Sequence, residues 1–259
     1  MKLKIKFIGT GSGKTSLNRF HSSILISSEK YNLLVDAGDG ISRALLSQKI
    51  NYNSINGIIF THLHPDHFAG LPSLIVQMKM DDRRIPLDIF VHNSLKSIVE
   101  NLLLHSNLLP ERMKFDINYK IFSEDERISI SKNVFAVPRK NLHLDKLENY
   151  KSKYPQLNFL CFSLLFEIEN YKIIYTSDIG NERDLFLFEQ TSTDIFITET
   201  THIQPSILFD ELKKINSQKI YLTHISEDSF SGLNEILAIQ PESFQNKVEF
   251  AVDGLFVEI

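Results

Sequence analysis

The segment Thr61-His62-Leu63-His64-Pro65-Asp66-His67 places four metal-competent side chains within six residues. Imidazole nitrogens and carboxylate oxygens are the usual ligands of divalent transition metals. The segment follows the apolar run Gly57–Phe60, which reads as a buried strand. In extended chain His62 and His64 alternate onto the same side. Pro65 forces the chain out of that extension, so Asp66 and His67 can aim at a second point beside the first. Packing alone gives no reason to concentrate three histidines and an aspartate here. One loop cannot complete two coordination spheres, so further ligands are required at other strand ends.

Nine histidines are available: 21, 62, 64, 67, 92, 105, 143, 202 and 224. His143 follows the apolar run Val134–Val137, Asp178 follows Tyr171–Thr176, and His224 follows Lys219–Thr223. Each therefore sits where a strand meets its loop. His62, His64 and His143 can take one metal, and Asp66, His67 and His224 a second. Asp178, with two oxygens, can bridge both. The donor set contains no thiolate, which suits two zinc ions, with manganese and iron as alternatives. The only cysteine, Cys161, lies in an apolar run and reads as a small core residue. His202 lies just beyond the strand-like run Asp194–Thr198 and completes neither sphere. It is open between proton transfer and loop packing. Asp66 and His202 are the catalytic candidates. Asp36 either orients a ligand histidine or merely serves the turn around Gly38. Asp253 can likewise orient a ligand histidine. His21 and His92 read as core or surface residues, and His105 as the end of a helix.

The H-x-H-x-D-H loop, a later single histidine, an aspartate after a strand and a late Thr-His occur in the order found in the metallo-β-lactamase superfamily, which this chain resembles over essentially its whole length. Within it, Phe7–Gly11, Asp36–Gly40, Gly70-Leu71-Pro72 and His224-Ile225-Ser226 resemble ribonuclease Z. Val248–Gly254 and Glu199–His202 look more like the cyclic ribose-phosphate phosphodiesterases of carbon–phosphorus lyase pathways. The departures are specific. The His-Glu-Ala-Thr motif of ribonuclease Z begins here with Thr198. The 141–157 insertion is too short for a tRNA-gripping arm and lacks its glycine and proline. The cysteine-rich zinc segment of the second group is absent.

The elements that must position these residues alternate. Strands are expected at 2–8, 22–27, 31–36, 57–61, 87–91, 117–122, 134–137, 159–169, 171–176, 194–198, 219–223 and 248–252. Helices are expected at 41–48, 71–80, 94–104, 182–190 and 207–215, and a polar loop at 141–157. The second half repeats the logic of the first. The expected fold is therefore α/β, a four-layer αββα sandwich in one domain over 1–259. Gly9-Thr10-Gly11-Ser12-Gly13-Lys14-Thr15 imitates a phosphate loop, but Ile8 stands where its first glycine is needed. It reads as a tight turn whose backbone can border the site.

Composition excludes several classes. A net charge of -4 offers no global basic field for nucleic acid or anionic lipid. No apolar window reaches membrane-span length, and no signal peptide is apparent, so a cytoplasmic protein is expected. The resemblance implies a dinuclear metal-dependent hydrolase. Its expected substrate is a small phosphodiester or nucleotide, attacked by a metal-activated hydroxide. Hydrolysis of a thioester or lactone, tRNA 3′ processing and a decayed binding protein are the alternatives. Nucleic acid is a possible but disfavoured partner, and a homodimer is left open.

Overall fold

The computed structural model describes residues 3–28 and 31–259. The chain packs as two compact units, Met1–Ser123 with Val252–Ile259, and Glu124–Ala251. In the first unit a seven-stranded sheet runs β1 (Lys4–Gly9), β2 (Ser23–Ser28), β3 (Tyr31–Val35), β4 (Gly57–Ile59), β5 (Leu87–His92) and β6 (Ile117–Phe122), with the C-terminal strand Phe256–Glu258 outside β1. The start expected for the first strand, Lys2, lies outside the described residues. The strands from the C-terminal one to β3 pair antiparallel, and β3 to β6 pair parallel.

The second unit follows the same plan. Its seven strands are β7 (Ile128–Ser131), β8 (Val134–Lys140), β9 (Phe162–Ile168), β10 (Tyr171–Tyr175), β11 (Thr193–Thr198), β12 (Ser217–Leu222) and β13 (Val248–Phe250), side by side in that order. β7 to β10 pair antiparallel, and β10 to β13 parallel. Parallel neighbours need crossovers. The first unit supplies α1 (Ile41–Ser47), α2 (Pro65–Phe68), α3 (Leu71–Met80) and α4 (Lys96–His105). The second supplies α5 (Pro205–Leu212), α6 (Glu227–Ala238) and α7 (Glu242–Gln245). No helix among the described residues is long and apolar enough to cross a membrane.

The parallel strands read as continuous apolar runs because both their faces are buried, as in Gly57-Ile58-Ile59. Ile58, Ile89 and Val91 pack with Ala44, Leu45, Leu74 and Ile75 of α1 and α3. In the second unit Ile174, Phe196 and Ile220 pack with Leu208, Phe209 and Leu212 of α5. These two helix–sheet cores hold the parallel strands rigidly. The carboxyl ends of parallel strands are where open α/β sheets carry their sites. Asp36, Thr61 and His62 follow β3 and β4, whereas Asp178, Glu199 and His224 follow β10, β11 and β12.

Several expectations shift for local reasons. β4 stops at Ile59, before the expected Thr61, because the Thr61 amide and hydroxyl turn to the Asp36 carboxylate. The expected helix 182–190 is only a 3₁₀ turn, Glu182–Phe186. Asn181 caps the Arg183 amide, and Asp184 accepts from Gly180, which competes with continued helix. β8 runs past the expected end, through Pro138, where β7 no longer pairs with it. β7, α6, α7 and the C-terminal strand escape the periodicity. α6 buries only Leu233, and the terminal strand has just three residues.

Arg83 anchors the entry to β4 and β5. Its side chain is buried, and it donates to the carbonyls of Ile85 (2.8 Å), Ile55 (2.9 Å) and Pro86 (2.8 Å). Burial pushes its pKa down to about 10, with Asp88 and Tyr31 opposing the fall. Arg83→Met should leave these carbonyls without donors and destabilise the protein by about 2–4 kcal/mol. Chemical denaturation measures this; an unchanged midpoint would refute the anchoring role.

Candidate metal centre

In the first unit the donors are set by one loop and its support. Pro65 opens α2, as its fixed φ favours, and puts Asp66 and His67 on the first turn. His64 is extended just before it. The ring of His62 lies 4.8 Å from that of His64 and 4.2 Å from that of His67. His67 Nε2 stands 3.6 Å from Asp66 Oδ2. All four sequence-predicted donors of this loop are thus brought together.

Asp36 orients them. Its Oδ2 lies 2.8 Å from His67 Nδ1, while Thr61 donates its amide (2.9 Å) and hydroxyl (2.8 Å). With Nδ1 held by a carboxylate, His67 presents the Nε2 lone pair, the arrangement typical of ligating histidines. Burial raises the Asp36 pKa, and the His67 and Thr61 hydrogen bonds oppose that rise. Asp36 has a left-handed φ of 61°, which turns the chain sharply off β3. The next turn then wraps the donor loop: Ala37 donates to the His67 carbonyl and Asp39 to that of Pro65. Only glycine fits at Gly38, because a Cβ there would stand 2.1 Å from the Asp66 carbonyl oxygen. The Gly-rich turn also borders the donors, with a Gly13 Cβ position 3.2 Å from Asp66 Oδ2.

In the second unit His143, Asp178, His202 and His224 come together. Asp178 Oδ2 is 3.6 Å from His143 Nε2 and 4.0 Å from His202 Nδ1, and its Oδ1 is 3.3 Å from His224 Nε2. Thr201 Oγ1 lies 2.9 Å from His224 Nδ1, again leaving Nε2 toward the donor cluster. Ser177 and His224 are left-handed, with φ of 57° and 52°. Each such residue costs roughly 1–2 kcal/mol, which the surrounding hydrogen bonds must offset.

Glu199 is a site residue that the sequence reading passed over. It is buried and accepts from the amides of Ile179, Thr201 and His202. Its Oε1 holds His202 Nδ1 at 2.7 Å. Burial and the Asp178 charge push its pKa up, but the His202 bond and the nearby imidazoles outweigh them and hold it below the usual value. Burial alone would depress His202; the Glu199 bond and the charges of Glu199 and Asp178 raise it instead. A visible signal existed: an acidic residue directly after a buried strand, at the same kind of strand end as Asp178 and His224.

Two more residues clasp the ligand loops. The Asn141 amide donates to the Asp178 carbonyl (2.8 Å), and its Oδ1 accepts from the His143 amide (3.1 Å). Asp184 accepts from the amides of Leu142 (3.1 Å) and Gly180 (2.7 Å). Gly180 lets the loops touch, since a Cβ there would meet the Leu142 backbone at 2.4 Å. Cys161, buried as expected, adjoins this clasp with Sγ 3.5 Å from the Asp178 carbonyl. Asp253 does not orient a ligand histidine. It accepts from Thr10 and Phe20 and so fixes the Gly-rich turn. His92 bonds Ser94, and His105 ends α4.

The chemistry of the donor sets fits divalent metal. Each unit buries imidazoles beside carboxylates, with Nδ1 of His67 and His224 already engaged. Buried carboxylates crowded with imidazoles call for a cation. Asn141→Ala and Asp184→Ala should each weaken metal affinity about 10–100-fold while the far-ultraviolet circular dichroism stays native. Competition with a chromogenic chelator measures it; wild-type affinity in both variants would remove the clasp from metal binding.

Known proteins share this plan. A ribonuclease Z from Saccharolobus solfataricus is 35% identical over 130 residues, covering 50% of this chain and 43% of that protein. The chain therefore matches less than half of that relative's length. The metallo-β-lactamase fold protein YhfI from Bacillus subtilis superposes with a TM-score of 0.74 at 19% identity, over 100% of both chains. A diphosphatase from the PhnP family superposes with a TM-score of 0.70 at 17% identity, over 99% of this chain and 98% of that one. At such identities the structures establish the fold, which is the α/β metallo-β-lactamase fold expected from the sequence. A family model described as Anti-Pycsar protein Apyc1 matches residues 3–217. The chain thus belongs to the Anti-Pycsar Apyc1 family and carries the metallo-β-lactamase fold.

Proposed function

We propose that the chain is a single-domain, dinuclear-metal hydrolase that cleaves small phosphodiesters or nucleotides. The observation that carries the reading is the pair made by buried Glu199 and solvent-reaching His202 beside Asp178. An acid–imidazole pair adjoining a thiolate-free metal donor set is the equipment for hydrolysis with an alkoxide leaving group. His62, His64 and His143 would hold one metal, Asp66, His67 and His224 the other, and Asp178 both. Zinc suits these donors, and manganese or iron is compatible. When bound, the metals supply an acidified water and offset charge on the phosphoryl oxygens.

The protein's own groups do the rest. Asp36 and Thr201 fix the tautomers of His67 and His224 through Nδ1. Asp66, one of the residues that would hold a metal, would also orient water with its carboxylate. Glu199 holds His202 at Nδ1, so the proton for the leaving oxygen departs from Nε2. His202 keeps 29% of its side chain exposed, as a group that meets substrate must.

Similarity to ribonuclease Z favours a second reading, tRNA 3′ processing. The match spans only 43% of that relative, and a net charge of -4 gives weak purchase on a phosphate backbone. Precursor tRNA should therefore be a poorer substrate than bis(p-nitrophenyl) phosphate or a cyclic nucleoside monophosphate.

The wild type should contain about two metals per chain by elemental analysis. Asp178→Ala should lose both, and His224→Ala chiefly one. A metal-free protein with full hydrolytic activity would sink the proposal. So would turnover of thioesters or lactones with none of phosphodiesters.

His202→Ala should retain its metals yet lose roughly 10²–10⁴ in kcat on an alkyl phosphodiester. The loss should shrink for p-nitrophenolate, which leaves without a proton. Equal losses on both substrates would assign His202 to positioning rather than to proton transfer.

A further inference from the structure

The Gly-rich turn that imitates a phosphate loop has no part in the mechanism above, yet it touches a candidate donor. Its root is pinned. Asp253 accepts from the Thr10 amide (2.9 Å), the Thr10 hydroxyl (2.7 Å) and the Phe20 amide (2.6 Å). The Gly11 amide donates to the Phe20 carbonyl at 2.8 Å. Farther along, the Ser16 hydroxyl accepts from the amides of Asn18 (2.9 Å) and Arg19 (3.1 Å). A turn tied at both places does not swing aside to make room.

Gly13 lies between these ties. Its φ is not left-handed, so the backbone there would accept a side chain. At Gly38 or Gly180 a Cβ would strike main chain. At Gly13 the nearest atoms to a Cβ all belong to the Asp66 carboxylate: Oδ2 at 3.2 Å, Cγ at 3.5 Å and Oδ1 at 3.7 Å. Neither backbone conformation nor main-chain crowding demands glycine here. What a side chain would meet is a candidate metal donor. Gly13 is exposed, whereas Asp66 is buried. Gly13 thus lies on the solvent side of that carboxylate, and a side chain on it would cover the flank that an incoming ligand meets.

We propose that Gly13 is a specificity-determining residue whose bare backbone leaves room beside Asp66 for the retained substituent of the substrate. This rests on the phosphodiester reading of the site. It adds a size rule: the site takes diesters whose retained group is bulky, an aryl or nucleoside group. A side chain at position 13 would exclude those and spare a methyl diester. One methylene more or less in a pocket discriminates by roughly 10–200-fold. In fixed surroundings such overlap becomes strain rather than movement.

The test uses the full-length, metal-loaded protein with Gly13→Ala and Gly13→Val, metal content measured for each. Bis(p-nitrophenyl) phosphate and methyl p-nitrophenyl phosphate share a leaving group and differ only in the retained substituent. On the bis-aryl diester kcat/KM should fall about tenfold in Gly13→Ala and about 100-fold in Gly13→Val. On the methyl diester it should fall less than about threefold in either variant. Equal losses on the two diesters would reduce Gly13 to a spacer of the Asp66 carboxylate and overturn the inference, as would no loss on either. Should Gly13→Val shed metal, Gly13→Ala decides by the same ratio. If the wild type hydrolyses neither diester, the phosphodiesterase reading falls by itself. Calorimetry with adenosine 5′-monophosphate and inorganic phosphate then decides for Gly13. Weaker binding of the nucleotide alone in the variants supports the inference; any other result, absent binding to the wild type included, refutes it.

Discussion

Asp36 is a fully buried carboxylate, and the donor loop of the first unit depends on how its charge is satisfied. Thr61 supplies two donors, and His67 Nδ1 supplies a third. This one interaction ends β4 at Ile59, fixes the His67 ring and anchors the turn that wraps α2. It requires the left-handed backbone at Asp36 and the missing Cβ at Gly38. Local strain and close approach are thus features of a support that holds the ligands in place.

The second unit meets the same constraint with different groups. Glu199 takes three backbone amides and the His202 ring. Asn141 and Asp184 knit the His143 and Asp178 loops through main-chain contacts. The two sheets repeat one pattern, an antiparallel edge joined to four parallel strands. Apart from His143, which follows antiparallel β8, both place their donors at the carboxyl ends of parallel strands. The ends of rigid, doubly buried strands are the most precisely held positions available for short loops.

A division of labour follows among residues of similar chemistry. Among the candidate donors, His62, His67 and His224 have Nδ1 against a hydroxyl or carboxylate, and they are buried and suited to ligate. His202 has its Nδ1 held as well, yet it remains partly exposed, which suits the proton transfer proposed for it. Environment, rather than residue type, separates the roles.

The sequence by itself pointed to the candidate donors and to the order of the longer elements. His62, His64, Asp66 and His67 were legible because their spacing cannot be explained by packing. His143, Asp178 and His224 were legible because each ends an apolar run. The long apolar strands and α3 were equally plain, since burial on a defined face writes a period into the chain. Tertiary structure alone decided who supports whom. Glu199, Asn141 and Asp184 act through partners 2 to 42 residues away, and a hydrogen bond between distant loops leaves no period to read. It also moved Asp253 from a ligand's partner to the keeper of the Gly-rich turn. And it reduced the helix expected at 182–190 to one turn, because Asp184 is committed to the backbone amides of Leu142 and Gly180.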